Sequence, residues 1–182
     1  WNYRKQLVID HTKVSGGSDL SNFPLLVSLS DEGLNSAQSS GNDILFTSSD
    51  GTTKLSHEIE SFTLGTGTIV AWVKIPTLSA SVDTVVYMYW GNAASSSQQD
   101  ATNVWDTNYK AVWHLNQANG VSRNDSTSNA NTLSENGTGG VGMGSANIDA
   151  FAIFKRASSQ YLSRTNALQT GLGITGSITL QA

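Results

Sequence analysis

Glu58 and Glu60 stand two residues apart in the run His57-Glu58-Ile59-Glu60. On a β-strand, residues i and i+2 project from one face, so the two carboxylates would lie side by side. A pair separated by about 5–5.5 Å suits retaining glycoside cleavage, with one group as acid and the other as nucleophile. The alternative is a non-catalytic pair on a solvated strand face, contacting a ligand or a basic side chain. Acid/base work asks for two carboxyls in unlike environments. Ser56 and Phe62 continue the same alternation on either side, and nothing local sets Glu58 and Glu60 apart. The Glu-x-Asp-x-x-Glu run of sandwich-type glycosidases is not met either, because Ser61 and Phe62 follow Glu60. No catalytic residue is assigned from the sequence, and Glu58 and Glu60 are taken as candidate ligand contacts.

Other chemistries leave weaker traces. His11, His57 and His114 are far apart and lack the H-x-x-x-H or H-x-H spacing of a local metal site. There is no G-x-S-x-G nucleophile elbow, and without cysteine there is neither a thiol nucleophile nor a disulfide framework. The glycine cluster Gly139-Gly140-Val141-Gly142-Met143-Gly144 does not join a strand to a helix, so it is not a dinucleotide loop. Asp43, Asp50, Asp106, Asp125 and Asn129 sit in or beside loops and carry the oxygen donors that calcium prefers. No D-x-D-x-D-G loop is present, and Asp and Asn are also ordinary turn formers. Five Trp and five Tyr raise the question of sugar stacking. Trp72 and Trp90 alternate with aliphatic residues and read as core. Trp105 and Trp113 flank a composition change, so they are candidate ligand contacts or packing between two segments.

Composition narrows the class. The chain has 182 residues, 13% charged and 38% hydrophobic, with a formal net charge of −4. Scattered Lys and Arg form no basic stripe for phosphates, which argues against nucleic acid. No apolar run approaches the length of a membrane-spanning helix. Low charge and a surface rich in Ser, Thr, Asn and Gly point to an extracellular, cell-surface or virion-surface location.

The elements that must position these residues are strands. Runs at Tyr3–Asp10, Pro24–Leu29, Asp43–Thr47, Leu55–Phe62, Thr68–Ile75 and Asp83–Trp90 alternate apolar and polar residues. Turn clusters such as Ser15-Gly16-Gly17-Ser18 and Asp50-Gly51 separate them. This spacing predicts an all-β, antiparallel sandwich of jelly-roll type. Thr68–Ile75 is apolar on both faces, so it should be a central strand. Asp31–Ala37 is the best helical candidate, at most two turns. After about Asp106 the sequence turns rich in Asn, Ser and Gly, and Asn116–Asn147 reads as surface loops with one or two short strands. The organisation expected is one module over 1–105 and a second, partial β-sandwich over 106–182.

Two resemblances attach to these segments. Trp1-x-Tyr3-Arg4-Lys5, Asn22-Phe23-Pro24, His57-Glu58-Ile59-Glu60, Val70-Ala71-Trp72-Val73-Lys74 and Tyr87-Met88-Tyr89-Trp90-Gly91-Asn92 occur in one order. Together they resemble an uncharacterised module of bacterial and archaeal surface proteins, a domain of unknown function. That resemblance implies a secreted β-sandwich within a longer chain and supplies no activity. From residue 106, Val112-Trp113-His114-Leu115, Asp125-Ser126-Thr127-Ser128-Asn129 and Gln160-Tyr161-Leu162 resemble the opening of a laminin-G or concanavalin-A-like sandwich. The resemblance covers less than half of such a module and implies one structural calcium at Asp125 and Asn129. Lys155-Arg156 depart from the Asp-Gly usual there.

The function expected is therefore non-catalytic adhesion, with a glycan or other surface polymer as partner. The first alternative is a structural subunit of a filament or virion, pairing with neighbouring copies or a C-terminal continuation through residues 174–180. The second is a glycoside hydrolase using Glu58 and Glu60.

Overall fold

The computed structural model describes residues 1–117, 120–145 and 150–175. The chain forms two compact units, Trp1–Asp106 and Thr107–Ala182. Among the described residues no helix is long and apolar enough to cross a membrane.

The first unit is built on β1 (Tyr3–Ile9), β2 (Leu20–Ser30), β3 (Leu45–Ser48), β4 (Lys54–Leu55), β5 (His57–Thr63), β6 (Thr68–Leu78) and β7 (Thr84–Trp90), followed by a one-turn helix, α1 (Ala101–Val104). These strands make two antiparallel sheets, ordered β1-β7-β3-β4 and β2-β6-β5. One hydrophobic core joins the residues of both sheets. It takes Val27, Ile69, Ala71, Val73 and Ile75 from one sheet and Phe46, Val86, Met88 and Trp90 from the other. The fold is the antiparallel all-β sandwich that the alternation predicts. β6 is central, as its two-sided apolar pattern requires.

Local chemistry fixes the connections. Asp31 closes a 3-10 turn over Glu32–Ser36 by accepting from Gly33 N–H at 2.8 Å, in place of the longer helix allowed by the sequence. The Lys5 ammonium, 2.5 Å away, is the main reason its carboxyl lies below the usual range, with the Gly33 N–H second. Gly67 ends the next 3-10 turn at φ +59°, and a Cβ there would meet the Asp31 carbonyl oxygen at 2.0 Å. Only glycine fits both the left-handed backbone and that close approach. His57 points to the core side of β5, where its ring meets Phe46 edge-on at 5.3 Å. It is wholly buried. Nδ1 lies 3.5 Å from the Leu55 carbonyl, and Nε2 has no hydrogen-bond partner. Burial pushes its pKa down to about 4.

The second unit has shorter strands: β8 (Ser134–Asn136), β9 (Gly142–Ser145), β10 (Ala150–Ile153) and β11 (Tyr161–Ser163). They pair antiparallel as β9–β10 and β8–β11, with a further bridge between Arg123 and Leu133. Much of its interior is polar. Arg123, Thr127 and Asn131 are buried together with Val141. Residues 116–147 thus supply interior side chains besides surface loops, which their sparse apolar content does not suggest. The reason is pairing: Arg123 Nη2 lies 2.5 Å from Glu135 Oε1, and Nη1 donates to the Val121 carbonyl at 2.7 Å. Asn131 Nδ2 donates to the carbonyls of Lys110 and Thr170, and its Oδ1 accepts from Thr170 N–H. A buried charge or amide is tolerated when its hydrogen-bonding capacity is used in this way.

Candidate functional site

The two glutamates lie on the outer face of the three-stranded sheet, and each holds a tryptophan. Glu58 stands opposite Trp72 in the β5–β6 ladder. A register shift between Ile59 and Ser61 leaves Glu60 as the extra residue of a bulge. Glu60 Oε2 accepts the Trp72 indole N–H at 2.6 Å, and Glu58 Oε2 accepts that of Trp105 at 3.0 Å. The two indoles pack together with centroids 5.2 Å apart. The bulge also corrects the expectation for Phe62. It faces Ile69 and packs against the core instead of continuing the glutamate face.

Trp105 arrives there because α1 is tied down on this sheet. Asp100 N–H donates to the His57 carbonyl at 2.9 Å, and Ser56 Oγ donates to Asp100 Oδ2 at 2.9 Å. Lys74 Nζ donates to the Asn103 carbonyl at 3.1 Å. Val104 is fully buried and Trp105 is 6% exposed. Glu58, Glu60 and Trp105 therefore form one cluster, in which two carboxylates orient two indoles at the C-terminal end of a short helix.

Trp113 belongs to the second unit and is half-buried, with its N–H donating to the Asn131 carbonyl at 2.8 Å. Asp125 organises the same loop. Its Oδ1 accepts from the backbone N–H of Val112 and of Thr127, and its Oδ2 accepts from Thr127 Oγ1 and Asn131 N–H. Asn129 Nδ2 donates to the carbonyls of Tyr109 and Lys110. A calcium ion coordinated by Asp125 would have to replace donors that the chain itself supplies. Of the proposed pairing edge at 174–180, residues 176–180 lie outside the described residues.

Pairing of β1 with β7 creates a juxtaposition invisible to local spacing. Asp10, His11 and Asp83 bring their potential ligand atoms within 4.8 Å of one another. His11 Nδ1 lies 2.6 Å from Asp83 Oδ1, the main reason the Asp83 carboxyl sits below its usual range. Asp10 is lowered chiefly by the Thr12 hydroxyl and then by the Thr12 N–H. Both carboxylates are exposed, and their hydrogen bonds are those of a surface histidine–aspartate contact and a capped turn.

The outer face of the four-stranded sheet carries a second constellation. Register places Gln6, Tyr87, Thr47 and Lys54 in one row across β1, β7, β3 and β4. The neighbouring row is Arg4, Tyr89 and Leu45. At about 4.8 Å between strands, the four-residue row spans about 14 Å. Tyr87 and Tyr89 are half-buried, with ring centroids 6.5 Å apart. The Tyr89 hydroxyl donates to the Gly51 carbonyl at 3.0 Å, which fixes that ring. The Arg4 guanidinium lies 4.6 Å from the Tyr87 centroid. Thr47 is buried at 4% exposure, with its hydroxyl donating to the Ser48 carbonyl, so the accessible groups of this face are the tyrosine rings, Gln6 and Arg4, which can stack on a sugar and hydrogen-bond its hydroxyls.

Comparison with known families decides the relationship. The model of a domain of unknown function, DUF2341, matches residues 40–131. The chain belongs to that family. No curated protein and no solved structure matches the chain. The DUF2341 match includes Glu58, Glu60, Trp72, Tyr87, Tyr89, Trp105, Trp113, Asp125 and Asn129, and it continues past Asp106 into the second unit. Arg4 and Gln6 precede it. Within this DUF2341 chain, the tyrosine face was detectable in principle. Val85, Tyr87 and Tyr89 alternate with the core residues Val86, Met88 and Trp90, so one period of two assigns both faces.

Proposed function

We propose that the chain is a non-catalytic, extracellular surface module that adheres to glycans through the outer face of its four-stranded sheet. The observation that carries this reading is the pair Tyr87 and Tyr89, set side by side next to the exposed Gln6 and Arg4. Aromatic rings held rigidly on strands offer stacking surface at little conformational cost. The non-catalytic part rests on Glu58 and Glu60, whose carboxylates each orient an indole of the same sheet face.

Affinity electrophoresis through gels containing individual polysaccharides tests the binding. Retardation of the wild-type chain by at least one polysaccharide is expected, with Tyr87→Ala weakening it about tenfold or more, as loss of an aromatic anchor does. A chain retarded by none would overturn the proposal. Reducing-end release from the same polysaccharides tests the catalytic alternative. Glu58→Gln and Glu60→Gln keep an oxygen acceptor for each indole, so both variants should bind as the wild type does and release nothing. Wild-type hydrolysis that disappears in either variant would establish the hydrolase instead.

A further inference from the structure

We infer that the tyrosine face selects acidic polysaccharides and that Arg4 is the residue that recognises their sugar carboxylates. The inference rests on the glycan-binding reading and adds the chemical class of the ligand. Its basis is an imbalance of charge. The chain as a whole carries −4. Yet the four strands of this sheet contain Arg4, Lys5 and Lys54 and no aspartate or glutamate. Lys5 belongs to the other side, where it pairs with Asp31. Arg4 and Lys54 face outward, in adjacent rows.

The state of Arg4 distinguishes it from Lys54, the other outward-facing cation of this sheet. Lys54 Nζ donates to Gln98 Oε1 at 2.9 Å, and Lys74 is held by the Asn103 carbonyl. Arg4 is exposed and lies over the Tyr87 ring, with no hydrogen-bond acceptor or carboxylate partner among the described residues. A guanidinium resting on an aromatic face loses little further freedom on binding, and its planar fork matches a carboxylate through two parallel hydrogen bonds. Gln6 borders Tyr87 in its row, is exposed, and offers a neutral amide for hydroxyls. A polymer of uronate sugars supplies both, a carboxylate and hydroxyls on each ring.

Sodium polygalacturonate and its fully methyl-esterified form test this, because they share a backbone and differ in charge. In affinity electrophoresis the wild-type chain should bind the acid form about tenfold more tightly than the ester, and added salt should weaken the acid form alone. Arg4→Gln should abolish that preference, lowering acid binding about tenfold and leaving ester binding unchanged. Lys13→Gln, the same charge change on another exposed residue, should behave as the wild type. Equal binding of acid and ester by the wild type would overturn the inference and leave glycan binding standing. Retardation by neither these nor any other polysaccharide would overturn both. A preference for acid that survives Arg4→Gln would refute the assignment to this residue. Tighter binding to dextran sulfate at matched charge would refute the carboxylate class.

Discussion

Replacing Glu135 with alanine is expected to destabilise the second unit by about 3–5 kcal/mol, the usual cost of removing one partner of a buried ion pair. Arg123 is fully buried, and Glu135 is the carboxylate beside it. Glu135 Oε2 also accepts the backbone N–H of Gly120 at 2.9 Å and of Val141 at 3.1 Å. The variant would remove the carboxylate 2.5 Å from a fully buried guanidinium and the acceptor of two backbone donors. Replacing both partners, as in Arg123→Met with Glu135→Leu, removes the stranded charge and should recover much of the loss. Trp113 is the only tryptophan after Asp106, so its emission in a background lacking the other four reports this unit during urea titration. A Glu135→Ala midpoint shift worth less than 1 kcal/mol would contradict the ion-pair account.

The second expected result concerns pH. His57 is buried and neutral, with its folded pKa depressed to about 4 from 6.5. Above pH 6.5 neither folded nor unfolded chain protonates it, and it contributes no pH dependence. As pH falls below 6.5, the unfolded chain takes up a proton that the folded one refuses. Stability then declines by up to about 1.4 kcal/mol per pH unit, or about 3 kcal/mol by pH 4. Below that pH both states are protonated and this contribution levels off. The depressed carboxyls act in a lower window. Asp10, Asp31 and Asp83 lie below the ordinary aspartate value of 3.8, and Asp50, held by the Thr53 hydroxyl and the Thr52 and Thr53 N–H groups, lies at about 2. Their stabilisation is present above the unfolded value and is lost as pH falls through the folded one. Urea unfolding between pH 7.5 and 4.5 therefore spans the His57 window and stays above that of these four carboxyls. His57→Leu should flatten the profile, and an unchanged slope in that variant would show that another group is responsible.

How much was legible depended on which interaction decided each element. The sandwich followed from alternation, because burial of one face of a strand is written directly into a period of two. β6 was recognisable as central from Val70 and Val73 alike being apolar. Glu58 and Glu60 share the outer face, as two residues spaced i and i+2 should, but their partners were hidden, since Trp105 meets Glu58 across a sequence separation of 47. The bulge at Glu60 has no marker in residue type, so the rotation of Phe62 into the core was hidden. Asp10, His11 and Asp83 meet only once β1 and β7 are in register. The interior of the second unit was the hardest to read. Polar residues signal surface by default, and only long-range pairing such as Arg123 with Glu135 turns them into core.

The contact between Trp72 and Trp105 has an optical meaning. Two indoles held with centroids 5.2 Å apart and planes inclined at 54° couple their electronic transitions, and a fixed, non-parallel pair of this kind is expected to give a split circular-dichroism band. Trp72 belongs to a central strand, whereas Trp105 rides on the short helix fastened over it. The band's amplitude therefore follows the seating of that helix separately from the integrity of the sheets, giving the molecule a built-in chromophore pair that distinguishes an unlatched helix from an unfolded sandwich.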